Sequence, residues 1–244
     1  MLDYFLENFS KEINGIIHVG AHSGQEVLQY KAYDKKIILF EPQKSVYEEL
    51  LKNVAGLEEV ICYNIGLGSI KKRSTLFKSN ENEGKSSSVL TPELHLKVQP
   101  NISFTDSEEI KIERFDSLEV ETLNFVTLDV QGFELEVLKG FGEELKKVDF
   151  IFTEINTRYL YKNNALVGEI DSYLKKFNFE RIYTNIDCFN YYGDAFYIKK
   201  SCISYSRNLF RQVLNIVNIS NFTLNIKKLL YPKRILRNLY KKFL

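Results

Sequence analysis

Gly15-Ile-Ile-His-Val-Gly20-Ala-His-Ser-Gly24, followed at Lys36-Ile-Ile-Leu-Phe-Glu41-Pro42 by a second apolar run, is the stretch that decides the fold. Each half opens with a short run rich in β-branched and aromatic residues. Gln25–Tyr33 between them is patterned as a helix. Strand, glycine turn, helix and second strand make one unit of a parallel sheet with crossover helices. The same alternation continues through Val60–Ile65, Phe125–Asp129, Asp149–Glu154 and Phe179–Thr184 to Ala195–Lys199, with helical patterns at Lys44–Asn53, Gly132–Leu138 and Ala165–Phe177. The central runs are almost wholly apolar, as strands covered on both faces are. Only Asn185–Asp194 separates the last two runs, so they should form a hairpin, placing an antiparallel strand at the end of the sheet. The segment from Gly66 to Phe125 fits the alternation less well. It offers strand candidates at Ser74–Lys78 and Ile110–Phe115 around a polar loop, Ser79–Ser88, and reads as an excursion over the ligand site.

The chain has 244 residues, the length of one domain or of one domain with an appendage. At 44% hydrophobic and 27% charged residues it has the composition of a globular protein, which excludes disordered and collagen-like classes. Cys62, Cys188 and Cys202 are odd in number and share no CxxC spacing, so reduced thiols in a cytoplasmic protein are expected. No run approaches the ~20 apolar residues of a spanning helix, and Met1–Lys11 lacks the order of a signal peptide. Charge is divided unevenly. Residues 201–244 hold nine basic residues and no acid, while residues 1–200 hold the other 24 basic residues against all 32 acids. We therefore expect a domain at 1–200 and a basic amphipathic helical extension at 201–244. In the extension, apolar stripes run over Leu209–Val217 and Leu229–Leu244, and Pro232 separates two short basic helices. Such a tail docks on a membrane surface, making the protein peripheral at the inner membrane face, or on a protein partner, or packs on its own acidic body. Nucleic acid is not expected, because the acidic body repels phosphates.

Chemistry concentrates at three strand ends. Gly20 and Gly24 let a ligand approach the backbone where a helix offers free N–H groups, but their spacing is GxxxG rather than the dinucleotide GxGxxG. Glu41 ends the second strand, where an acid can accept hydrogen bonds from both hydroxyls of a ribose; it can equally cap the helix that follows. Asp129 ends a third apolar strand at the rim of the sheet, ahead of Gly132 and Glu134. It reads as a site residue or as a helix cap, and Glu136 as a solvated first-turn acid.

The runs Asp116-Ser117-Leu118, Phe125-Val-Thr-Leu-Asp129-Val-Gln-Gly-Phe-Glu-Leu-Glu-Val-Leu-Lys-Gly140 and Phe152-Thr-Glu154 resemble the FkbM family of S-adenosylmethionine-dependent methyltransferases. The HVGAHSG loop, Phe40-Glu41-Pro42 and Ser86-Ser87-Ser88 share that resemblance, which covers residues 15–200. It implies an α/β fold of the class I methyltransferase, Rossmann-like type: a seven-stranded sheet, mostly parallel with an antiparallel last strand. It implies S-adenosyl-L-methionine as cofactor and transfer of methyl to a hydroxyl of a sugar, glycan or glycolipid-type acceptor. By the same resemblance Gly20, Ala21, His22 and Gly24 surround the methionine part. Glu41 with Pro42 meets the ribose, Asn64 and Gly66 flank the adenine, and Asp129 stands between cofactor and acceptor. The family's first strand usually ends in an acid where His18 stands here.

Methyl transfer to a hydroxyl needs a base for the proton. Asp129 ranks first, with Glu154, Glu134 and His22 as further candidates. No metal is expected, because His18, His22 and His95 show no paired ligand spacing. A nucleotide-linked oxidoreductase and a non-catalytic protein that keeps the fold are the alternatives.

Overall fold

The computed structural model describes residues 1–80, 84–187 and 189–205. The expected tail helices, within Asn208–Leu244, and Cys188 lie outside them. Among the described residues ten strands form: β1 (Gly15–Val19), β2 (Lys36–Phe40), β3 (Val60–Tyr63), β4 (Gly66–Leu67), β5 (Lys72–Lys78), β6 (Asp106–Glu113), β7 (Phe125–Leu128), β8 (Phe150–Asn156), β9 (Phe179–Asp187) and β10 (Tyr192–Lys199). The helices are α1 (Leu2–Asn8), α2 (Val27–Lys31), α3 (Lys44–Asn53), α4 (His95–Val98), α5 (Glu134–Phe141) and α6 (Val167–Lys175).

Seven strands make one sheet in the order β3-β2-β1-β7-β8-β10-β9. The pairs β1–β2, β2–β3, β1–β7 and β7–β8 are parallel; β10 is antiparallel to both β8 and β9. The expected hairpin is present, but its second strand does not sit at the edge. It inserts between β8 and β9, and β9 becomes the edge. The order in which successive strands are laid across the sheet reverses between β1 and β7, the position where open α/β sheets leave a crevice beyond the carboxyl ends of their strands.

Every residue of β1 and β7 is buried, as the apolar runs required. One face of the sheet packs Ile17, Val19, Val126 and Leu128 against Val137, Leu138 and Phe141 of α5 and Ile170 and Leu174 of α6. The other face receives α1, which the sequence reading did not place. Phe5, Leu6 and Phe9 give α1 a stripe at helical spacing, and Phe5 stacks on Phe196 with ring centroids 3.9 Å apart. The helix expected at Gln25–Tyr33 is confined to Val27–Lys31, bounded by left-handed backbone at Gly24 (φ 81°) and Asp34 (φ 51°). The helix expected from Ala165 starts at Val167, because Leu166 is extended and its N–H donates to Glu169 at 2.9 Å.

The excursion builds a second sheet, β4-β6-β5, from both strand candidates. The second begins earlier than read, at Asp106, and ends before Phe115, which turns into a short 3-10 helix. Leu76, Ile110 and Ile112 form a small core with Val89 and Phe133, so this sheet leans on the turn that precedes α5. The Ser88 hydroxyl donates to the Gln131 carbonyl at 2.8 Å, tying the loop of the excursion to the end of β7.

Candidate active site

The strand registers place the candidate residues in one row. Val19 pairs with Phe40 and Leu128, Phe40 with Tyr63, and Leu128 with Thr153. Continuing each register by one residue aligns Asn64, Glu41, Gly20, Asp129 and Glu154. Glu154 pairs with Asp194, and Asp194 with Asn185. Residues paired across a sheet share a face, so strand order alone sets three carboxylates side by side past the switch point and one before it.

A cavity of about 570 Å³ lies against this row. Gly20, His22, Glu41, Pro42, Gly66, Asp129 and Glu154 line it. Ala21, Gly24, Asn64 and Glu134 do not, and each has a structural task instead. Ala21 is fully buried. Gly24 lies under α3, where a Cβ would stand 2.6 Å from Leu50 Cδ1. Asn64 donates from Nδ2 to the carbonyls of Glu41 and Pro42 at 2.9 and 3.1 Å, holding the bend after β2.

Glu41 is held by backbone. Its Oε2 accepts the His22 N–H at 3.0 Å and its Oε1 the Gln43 N–H at 2.7 Å. The carboxylate thus joins the glycine loop to the start of α3. Burial pushes its pKa up to about 7 despite the two N–H donors.

Asp129 opens onto the cavity, and its side chain is exposed there. Gln131, at a left-handed φ of 52°, turns its side chain back so that Nε2 donates to Asp129 Oδ1 at 2.7 Å and to Glu154 Oε2 at 2.8 Å. The Tyr161 hydroxyl stands 3.1 Å from Gln131 Oε1 and 3.0 Å from the Ser86 carbonyl, and donates its one proton to either. One amide therefore bridges two neighbouring carboxyls that would otherwise repel. Desolvation raises the pKa of Asp129, and raises that of Glu154 well above the usual range with help from the Asp129 charge. Desolvation carries Asp194 up to about 6.

Glu134 is neither solvated nor at the cavity. It is fully enclosed, and its Oε1 accepts the N–H groups of Gly132 at 3.0 Å and Val130 at 3.3 Å. A carboxylate that pins the 130–132 turn positions Gln131 and does not reach an acceptor; this corrects its expected role as a base. Burial raises its pKa to about 7. Glu136 pairs with Lys139 at 2.6 Å, as a first-turn surface acid.

His18 is buried, and its Nδ1 lies 3.1 Å from the Tyr30 hydroxyl. Desolvation lowers its pKa, so it stands neutral where relatives of this fold were expected to carry an acid. Glu26 lines the same cavity and is close enough to act on His18 electrostatically. Glu26, Gln131, Asp194, Tyr161, His95 and Gln99 line the cavity without having been singled out for it. Gln131 lay inside the quoted DVQG motif, and Asp194 lay one residue outside the expected last strand. Among the described residues no group of three His, Cys, Asp or Glu is placed to hold a metal ion, and no helix is long and apolar enough to cross a membrane.

Comparison with known proteins agrees with this architecture. The methyltransferase FkbM domain matches residues 18–181. A 2-O-methyltransferase NoeI from Sinorhizobium fredii (strain NBRC 101917 / NGR234) is 24% identical over 173 residues, 66% of this chain and 71% of the relative. The crystal structure of a methyltransferase FkbM from Methylobacillus flagellatus KT superposes with a TM-score of 0.51 at 12% identity. That match covers 76% of this chain, which spans 43% of the solved one. Glycine loop, Glu41 and the Asp129 turn all fall inside the matched region, and the chain belongs to the FkbM methyltransferase family.

Proposed function

We propose that the protein is an S-adenosyl-L-methionine-dependent O-methyltransferase acting on a hydroxyl of a sugar, glycan or glycolipid-type acceptor. The observation that carries this reading is the placement of Glu41 and Asp129 on either side of Gly20, facing one cavity at the switch point of the sheet. The family and the 2-O-methyltransferase relative support the reaction type.

The residues present suit this cofactor. Glu41 offers carboxylate oxygens to the hydroxyls of a ribose, and at a pKa of about 7 it gains from hydrogen-bond donors. Glu26, Asp129 and Glu154 line the cavity, and a cationic sulfonium offsets their crowded negative charge. The cofactor supplies an electrophilic methyl group. Gly66 and Pro42 would border the nucleoside, and Gly20 and His22 the methionine part.

Asp129 would take the proton of the acceptor hydroxyl as that oxygen is methylated, and the bound cofactor would supply the methyl group and keep the electron pair on its sulfur. Gln131 fixes Asp129 in place by donating to it, and Tyr161 in turn fixes Gln131. Glu154, the next carboxyl in the row, accepts hydrogen bonds from the hydroxyls beside the one that reacts.

Calorimetric titration with S-adenosylhomocysteine, and with NADH as control, tests the reading. Binding of S-adenosylhomocysteine alone is expected. Binding of NADH without S-adenosylhomocysteine would replace it with the oxidoreductase alternative.

A further inference from the structure

Past Asp129 the cavity wall is a run of adjacent carboxyls. Asp129 directly after β7, Glu154 on β8 and Asp194 on β10 occupy neighbouring positions, and Asn185 on β9 ends the row. Asp187, at the end of β9, also lines the cavity. Among the described lining residues Lys85 is the one lysine, and no arginine is present.

The remaining groups on this side are neutral. His95 of α4 is 3% exposed, lines the cavity, and has no hydrogen-bond partner at Nδ1. Its ring lies 5.1 Å from that of Tyr161, the residue that holds Gln131. Gln99, one helical turn further along the chain, donates to the Tyr192 hydroxyl at 3.1 Å. A buried imidazole nitrogen left without a partner is costly unless a ligand completes it. Burial lowers the pKa of His95, so it offers a neutral acceptor or donor and no charge that would compensate an anion.

Building on the methyltransferase reading above, we infer that the β8–β10–β9 side of the cavity selects the acceptor by charge: it takes a hydroxylated unit that is uncharged or carries an amine, and rejects phosphorylated, nucleotide-linked and uronic acid units. Hydroxyls donate well to the carboxyls of Glu154 and Asp194 and to His95 Nδ1. An ammonium pairs with the same carboxyls. A phosphate or carboxylate finds no arginine or lysine pair to receive it, and in a partly desolvated site its charge adds to a row of acids that already repel one another, so its entry is costly.

The experiment uses the full chain, radiolabelled S-adenosylmethionine, and matched acceptors: methyl glycosides of neutral hexoses and deoxyhexoses, their 2-amino counterparts, their uronic acids, and hexose 1-phosphates. Transfer to neutral and amino acceptors is expected, with kcat/KM for uronic acids and phosphates lower by roughly 100-fold or more. In Asp194→Asn, and separately in Glu154→Gln, the uronate-to-neutral ratio of kcat/KM should rise about tenfold. S-adenosylhomocysteine binding in each variant reports that it is folded. Uronic acids or phosphates used within tenfold of neutral acceptors would overturn the inference. So would a ratio unchanged in both variants, or no transfer to any acceptor by a protein that binds S-adenosylhomocysteine. Failure to bind S-adenosylhomocysteine at all would instead bring down the methyltransferase reading on which the inference rests.

Discussion

Gly20 and Asp129 meet backbone to backbone at the reversal point of the sheet: a Cβ on Gly20 would stand 1.9 Å from the Asp129 carbonyl oxygen. Gly20 also has a φ of 81°, a left-handed conformation that side chains resist. The closeness of these two residues lets the glycine loop and the carboxylate share one cavity wall. Gly20→Ala must therefore separate β1 from β7 and strain its own backbone. A loss of about 3 kcal/mol or more is expected, seen as a fall in Tm of about 6–12 °C. Gly56→Ala is the control: its φ is 80° but no atom lies within 4 Å of the added Cβ, so only about 1 kcal/mol should be lost. Equal Tm values for the two variants would remove the contact argument.

Asp129→Asn keeps the shape of the side chain and its place beside Gln131 but cannot take a proton. Its kcat should fall by about 10²- to 10⁴-fold while the Kd for S-adenosylhomocysteine stays within about threefold. Titration calorimetry and initial rates separate the two effects. Retained turnover would pass the role of base to Glu154.

Gln131 is a positioning residue, and its test is a pH profile rather than a rate alone. Its N–H donation lowers the pKa of Asp129, against the desolvation that raises it. In Gln131→Leu that donation is lost and the two carboxyls face each other unbridged. Because the base must be ionised, the acidic limb of the kcat profile should move to higher pH. A purely structural role would lower kcat without moving the limb.

Much of this site was legible as residue types at strand ends. Glu41 and Asp129 each follow a run of apolar β-branched residues, and a strand buried on both faces has nowhere but its end for an acid. The row itself was not legible, because it depends on the order β1-β7-β8-β10, and strands in sequence do not state their neighbours in space. Asp194 joins the row only because β10 inserts beside β8. Glu134 misled for a related reason. An acid in a first helical turn is commonly solvated, and nothing local reveals that the N–H groups of Val130 and Gly132 converge on it in a closed interior. The role of Gln131 needs a left-handed backbone that no Gly or Asn announced. The segment 79–105, which supplies His95 and Ser86–Ser88, shows too little periodicity for its packing to be read.

Glu41 and Glu134 make the ligand-free protein sensitive to pH in a direction opposite to that of most acids. Each has a folded pKa raised by burial to about 7, against an unfolded value near 4.5. Between those values the folded state holds protons that the unfolded state has released. Stability from these groups is therefore present below about pH 4.5 and declines as pH rises to about 7, by an amount on the order of 1–3 kcal/mol each. The Tm of the ligand-free protein should be lower at pH 8 than at pH 5.5. Glu134→Gln mimics the protonated carboxyl, since its Oε1 can accept the same two N–H groups, and should raise the Tm at pH 8 while flattening the profile. The cationic cofactor favours the ionised form of Glu41 and its neighbours, so the stabilisation given by S-adenosylmethionine should be greater at pH 8 than at pH 5.5. Thermal melts of both proteins at the two pH values, with and without the cofactor, check all three statements. A Tm that rises from pH 5.5 to 8 in the parent, or a Glu134→Gln slope equal to the parent's, would contradict the burial of these carboxyls.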